Sequence, residues 1–138
     1  RFAHMGVDPY SFVSALNGIV AQRLVRLLCP NCMVAERPDQ QMIADSGITP
    51  EQAEQFDFRS AKGCGHCRGS GYRGRSAIAE ILLLNDEIRE LIIAQAPIRR
   101  IKEAARLNGT RFLREAALDM VKTGQTSLQE ANRVTVVA

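Results

Sequence analysis

Leu28-Cys29-Pro30-Asn31-Cys32 and Gly63-Cys64-Gly65-His66-Cys67-Arg68-Gly69-Ser70-Gly71 carry all four cysteines of the chain, as two C-x-x-C units with 31 residues between the pairs. Two intervening residues let one short turn aim both sulfurs at one ion. Two such turns supply the tetrahedron of thiolates that Zn²⁺ accepts. Cys29, Cys32, Cys64 and Cys67 are therefore the expected zinc ligands. Four thiolates leave no open coordination position, so the expected role is structural and not catalytic. A pair of disulfides is the competing reading and requires an oxidising compartment, for which the sequence has no export signal. His66 lies between two ligands and reads as an exposed turn residue; His4 has no partner in the sequence.

Outward from the cysteines, the flanks read as strands. Residues 19–28 cluster β-branched and aliphatic side chains and stop abruptly at Cys29-Pro30. Residues 76–84 alternate at first and are then continuously apolar. Between them, Gly69 to Arg75 forms a glycine-rich turn. The insert between the pairs is polar, with one helix start: Thr49 as cap, Pro50 at the first position and Gln52 reaching back, which predicts a helix to about Phe56. Upstream, Phe2 to Asp8 looks like the end of a helix, and Asp8-Pro9 opens a short helix to Leu16.

From Asn85 the apolar period becomes helical. Asn85 caps a helix bearing Ile88, Leu91 and Ile92 and ending near Pro97. A second runs from Ile98 to Leu107 and ends at Asn108-Gly109. Thr110 is read as the cap of a third, which carries Phe112, Leu113, Ala117 and Met120 and ends at Gly124. Ser127 and Glu130 read as a capping box opening a fourth. The expected fold class is α+β: a small antiparallel sheet with a four-Cys, zinc-stapled insert, followed by a C-terminal helical bundle.

Composition narrows the function. A chain of 138 residues with net charge +3 is too mildly basic to argue for nucleic acid, and aromatics at 5% leave little to stack on bases. No apolar run nears the roughly 18 residues of a membrane span. No G-x-x-x-x-G-K-[ST] occurs, so no loop here cradles nucleotide phosphates with the usual Lys and hydroxyl. No catalytic and no nucleotide-binding residue is assigned. The chain starts at Arg1 without a Met and reads as a piece of a longer protein.

Four stretches carry a family resemblance: Met5-Gly6-Val7-Asp8-Pro9-Tyr10; Ala21-Gln22-Arg23-Leu24-Val25-Arg26-Leu27-Leu28 running into the first cysteine pair; the second pair with Gly69-Ser70-Gly71-Tyr72-Arg73-Gly74-Arg75; and Gly124-Gln125-Thr126-Ser127-Leu128-Gln129-Glu130-Ala131-Asn132-Arg133-Val134-Thr135. Together they resemble the C-terminal part of the type II secretion and type IV pilus assembly ATPases. The resemblance implies a parent homo-hexamer, cytoplasmic and peripheral to the bacterial inner membrane, that uses ATP and Mg²⁺. It also implies partners: neighbouring subunits and inner-membrane platform proteins. On this reading residues 1–28 end the ATPase core, 29–67 form the zinc subdomain, 68–84 the glycine turn and return strand, and 85–138 the helical subdomain. The fragment itself is expected not to hydrolyse ATP.

Two points depart from that pattern or stay open. Many relatives carry Asp-Gly in the third C-terminal helix, where this chain reads Leu113-Arg114-Glu115-Ala116-Ala117, which leaves secretion against pilus assembly undecided. Cys64 to Gly71 also reads C-x-x-C-x-G-x-G, the repeat of DnaJ zinc domains, whose glycines let backbone N–H groups approach thiolates. A stand-alone zinc interaction module, DnaJ-like or nucleic-acid-binding, is the alternative. Two basic features wait on structure. The stretch 98–114, with Arg99, Arg100, Lys102, Arg106, Arg111 and Arg114, reads as a solvated face or as a contact for anionic lipid, a neighbouring subunit or an acidic partner. Arg23 and Arg26, three apart in a strand, point to opposite faces, so that one faces the nucleotide or a subunit interface of the parent.

Overall fold

A computed structural model describes residues 5–135; the readings at Phe2 and His4 lie outside them. The fold is α+β, with a small antiparallel sheet, a cluster of four cysteines and helices toward the C-terminus. The long strands β1 (Gly18–Leu28) and β4 (Tyr72–Leu83) pair with each other. Their ends are bracketed by Leu84 N–H donating to the Asn17 carbonyl at 3.1 Å and Cys29 N–H donating to the Gly71 carbonyl at 2.9 Å, which makes the pair antiparallel. The chain divides into two compact units, Arg1–Ala21 with Glu80–Phe112, and Gln22–Ala79 with Leu113–Ala138.

The first unit is an aliphatic assembly. Helix α1 (Pro9–Ala15) starts as the sequence predicts: Asp8 Oδ2 accepts from Ser11 N–H at 2.8 Å, and Pro9 takes the position where no N–H is needed. Helix α4 (Asp86–Ile93) is capped by Asn85, whose Oδ1 accepts from Ile88 N–H at 2.9 Å, with Asp86 and Glu87 favourably placed in the first turn. Helix α5 (Ile98–Leu107) ends at Asn108, and Gly109 follows with φ +86°. Val13, Leu84, Ile88 and Ala104 form the core. The Arg89 guanidinium donates to the Val13 carbonyl and ties α4 to α1.

The second unit surrounds the cysteines. Strands β2 (Val34–Ala35) and β3 (Arg59–Ser60) pair antiparallel, Val34 opposite Ser60. Between them lie α2 (Gln40–Asp45) and α3 (Pro50–Ala53). Thr49 and Gln52 make the reciprocal capping box, but α3 stops at Ala53, well short of Phe56. There the Phe56 ring leaves to stack on Phe58, with centroids 5.1 Å apart. Helix α2 was not expected; Asp39 caps it by accepting from Met42 N–H at 2.7 Å. Helices α6 (Leu113–Lys122) and α7 (Leu128–Val134) complete the unit. Its core includes Val25, Ile43, Ile78, Val121, Leu128 and Ala131.

Two helix-start readings fail for the same reason, namely that a distant partner claims the side chain. Thr110 does not cap α6, which begins only at Leu113. Its hydroxyl donates to the Ile81 carbonyl at 3.2 Å, within the first unit. At α7, Ser127 Oγ does accept from Glu130 N–H at 3.1 Å, but the Glu130 carboxylate does not reach back to close the box. The expected turn at Gly69 to Arg75 is also shorter, because β4 already begins at Tyr72.

Candidate metal centre

Strand β1 delivers the first cysteine pair. After Leu28 the chain turns at Cys29-Pro30, and Cys32 N–H and Met33 N–H both donate to the Cys29 carbonyl, at 3.2 and 2.9 Å. The second pair sits in a single 3-10 turn, Gly65–Cys67, closed by Gly69 N–H donating to the Cys64 carbonyl at 2.9 Å. Gly63 and Gly71 allow the backbone to come this close. At φ +103° and +77°, a Cβ on Gly63 would stand 2.6 Å from the Gly69 carbonyl oxygen, and one on Gly71 2.6 Å from the Ala61 Cβ.

The four Sγ atoms converge within 4.8 Å of one another. Cys29 and Cys64 are 3.9 Å apart, Cys32 and Cys67 3.8 Å, Cys64 and Cys67 3.7 Å. Sulfurs at the corners of a tetrahedron about 2.3 Å from a central Zn²⁺ are spaced about 3.8 Å apart. A disulfide needs about 2.05 Å, and all four cysteines are free. The donor set is thus compatible with one tetrahedral, thiophilic metal ion, with Cys29 and Cys67 buried and Cys32 and Cys64 partly so.

Backbone N–H groups surround the sulfurs as they would thiolates. Gly63 N–H donates to Cys32 Sγ at 3.3 Å, Gly71 N–H to Cys67 Sγ at 3.2 Å and Cys64 N–H to Cys67 Sγ at 3.1 Å. Burial raises the Cys32 thiol to about 11 in the metal-free chain. Burial also works against ionisation of Cys67, but the N–H donors of Cys64 and Gly71 outweigh it and bring this thiol down to about 6. His66 stays exposed and outside the cluster. Gly71 belongs to the glycine repeat visible in the sequence, whereas the Gly63 donor precedes its cysteine and no repeat marks it.

Beside the knuckle, Glu130 is completely buried between two arginines. Arg26 reaches its Oε2 through Nη2 at 2.7 Å and Nε at 3.1 Å, and Arg133 holds both oxygens at 2.7 and 2.8 Å. Burial opposes the charge on Glu130, yet the two guanidiniums and the Arg26 N–H hold its pKa down at about 2. Arg26 also lies over the Tyr72 ring, 4.2 Å from its centroid, and the Tyr72 hydroxyl meets Ser127 Oγ at 2.6 Å. Arg26 is thus fully engaged within its own unit, and Arg23 is the exposed member of the pair. Sequence reading missed Glu130 as a buried charge because its capping-box position offers a sufficient local explanation.

The fold is α+β, with four clustered cysteines in a strand-flanked insert that are compatible with one metal ion. The chain matches the family described as Type II/IV secretion system protein over residues 1–133, and it belongs to that family. It is 39% identical over 130 residues to the type IV pilus assembly ATPase PilB of Thermus thermophilus, covering 94% of this chain and 15% of that protein. It is equally 39% identical over 137 residues to the type II secretion system ATPase E of Vibrio cholerae, covering 98% of this chain and 26% of that protein. A PilB from Myxococcus xanthus is 38% identical over 131 residues, 94% of this chain and 23% of its own length. The chain thus spans about a quarter or less of the length of these relatives. None of its described helices is long and apolar enough to cross a membrane.

Proposed function

We propose that Cys29, Cys32, Cys64 and Cys67 bind one structural Zn²⁺, and that the chain is the zinc-stapled assembly and regulatory region of an ATPase powering type II secretion or type IV pilus assembly. The observation that carries the metal reading is the set of sulfur separations, 3.7 to 3.9 Å, at the edge length of a zinc–thiolate tetrahedron. Zinc bound there contributes folding energy and offers no open position for chemistry. The ATPase reading rests on family membership and on the names its relatives carry. In the longer protein, ATP and Mg²⁺ act outside this stretch, neighbouring subunits and membrane platform proteins are the partners, and residues 1–28 continue the ATPase core.

The test is elemental analysis of the purified chain together with thiol titration. One zinc per chain, with thiols released only by chelator under denaturant, is the expected result; no metal and four freely reactive thiols would overturn the metal reading. Phosphate release from ATP by the isolated chain is expected to stay at the blank. Turnover well above it would contradict placing the catalytic groups elsewhere.

A further inference from the structure

The first unit carries a cleft of about 140 Å³ between the strand pair and α5, lined by apolar side chains that include Ile19, Leu82, Ile101 and Ala105. Its lining runs from Ala105, 2% exposed, to Ile98, 69% exposed, and the exposed Lys102. A cavity of about 150 Å³ holds one benzene, whereas pockets for drug-sized ligands or cofactors begin near roughly 300 Å³. The space therefore suits a single aliphatic or aromatic side chain.

Charge surrounds that space asymmetrically. Helix α5 has four cations, Arg99, Arg100, Lys102 and Arg106, against the one acid Glu103, which forms an exposed pair with Arg99 at 3.5 Å that a partner's carboxylate would have to replace. Arg99, Lys102 and Arg106 follow one another at three and four residues, so they form one exposed stripe. Lys102 lines the cleft itself, as does Glu80. Arg106 is held at the cleft by its guanidinium over the ring of Phe112, 5.2 Å from the centroid, and Phe112 is part of the lining. An apolar socket for one side chain, beside cations a helical turn apart, has the pattern of an anchor pocket with a steering rim.

We propose that this cleft and stripe bind an acidic amphipathic segment of a partner protein: one apolar side chain seats among Ile19, Leu82 and Ile101, and carboxylates a helical turn apart meet Lys102, Arg99 and Arg106. A flat anionic membrane would engage the cations but leave the socket empty, which favours a peptide. The inference goes beyond the metal reading and does not rest on it.

The test is selection of a displayed library of random helical peptides on the full 138-residue chain, followed by binding titrations of the enriched peptides. The expected pool carries acidic residues around one apolar anchor. Binding should fall about tenfold with Lys102→Glu and also with Ile98→Ala, weaken with salt, and be unchanged by Arg73→Glu on β4. Lys102 and Ile98 are exposed, so both variants should retain the parent melting temperature. A pool without that pattern, or one bound equally by Lys102→Glu, overturns the proposal. Vesicles containing phosphatidylglycerol that bind with the same Lys102 dependence but no Ile98 dependence, where no peptide is enriched, replace it with a lipid contact.

Discussion

Residues 5–21 and 80–112 enclose Ile88 and Val13 in an apolar core with Phe12 packed against it, and the polar contacts are helix caps together with Arg89 on the Val13 carbonyl and Thr110 on the Ile81 carbonyl. Residues 22–79 and 113–135 hold a larger apolar core too, but they add two features that an apolar core does not need: four converging sulfurs and a carboxylate buried between two arginines. The difference follows from what each unit must hold together. In the first, α1, α4 and α5 offer complementary apolar stripes, and packing suffices. The second contains an insert whose strands β2 and β3 are two residues each and whose helices run six and four residues. Elements that short do not sustain themselves, so the clustered cysteines, with the metal we propose there, and a charge latch supply what length does not.

Removing the metal, or Cys29→Ser, should separate the units most sharply. Structural zinc contributes about 10–16 kcal/mol of apparent folding energy in small domains, so amide-exchange protection should collapse around α2, α3 and β3. Helices α4 and α5 should keep theirs; loss of protection in both units at once would erase the distinction. Next in size is Ile88→Ala, which opens a cavity in the first unit and should cost about 3 kcal/mol. Denaturant unfolding should show this loss with zinc retention unchanged.

Glu130→Gln follows, at about 2 kcal/mol. That lies below the roughly 3–5 kcal/mol for a fully buried pair, because Arg26 and Arg133 remain 41% and 56% exposed and regain water. Its pH signature is specific. The folded pKa of Glu130 lies at about 2, below its ordinary 4.5. Its stabilisation is therefore complete above the unfolded value and disappears as pH falls from there through about 2. The stability gap between wild type and Glu130→Gln, measured at each pH, should narrow across that window; a constant gap would remove the ionic explanation. Smallest is Ser127→Ala, which loses the α7 cap and the Tyr72 contact and should cost about 1 kcal/mol by thermal unfolding.

Legibility in the sequence follows the range of the interaction. Asp8, Thr49 and Asn85 were readable as caps because each bonds an N–H three residues away. The cysteine pairs were readable because ligand spacing within a turn is local too. Thr110 misled because the Ile81 carbonyl, 29 residues earlier in the chain, outcompetes its own helix for the hydroxyl. Helix α2 escaped notice because six residues with one buried apolar side chain, Ile43, show no period. Glu130 misled most: Arg133 stands only three residues on, but Arg26, the second guanidinium, lies 104 residues away and no local pattern announces that contact.

The sequence by itself therefore determined the pairing of the cysteines in two short turns, most helix starts and the strand-to-helix order, since each depends on groups within a turn or on a repeated apolar period. Only the tertiary structure decided that the two cysteine turns face each other at metal distance, that Arg26 closes on Glu130, and that α5 sets its cations beside an apolar socket. Those are meetings of chain segments far apart in sequence, settled by which buried polar groups and side-chain volumes can be satisfied together.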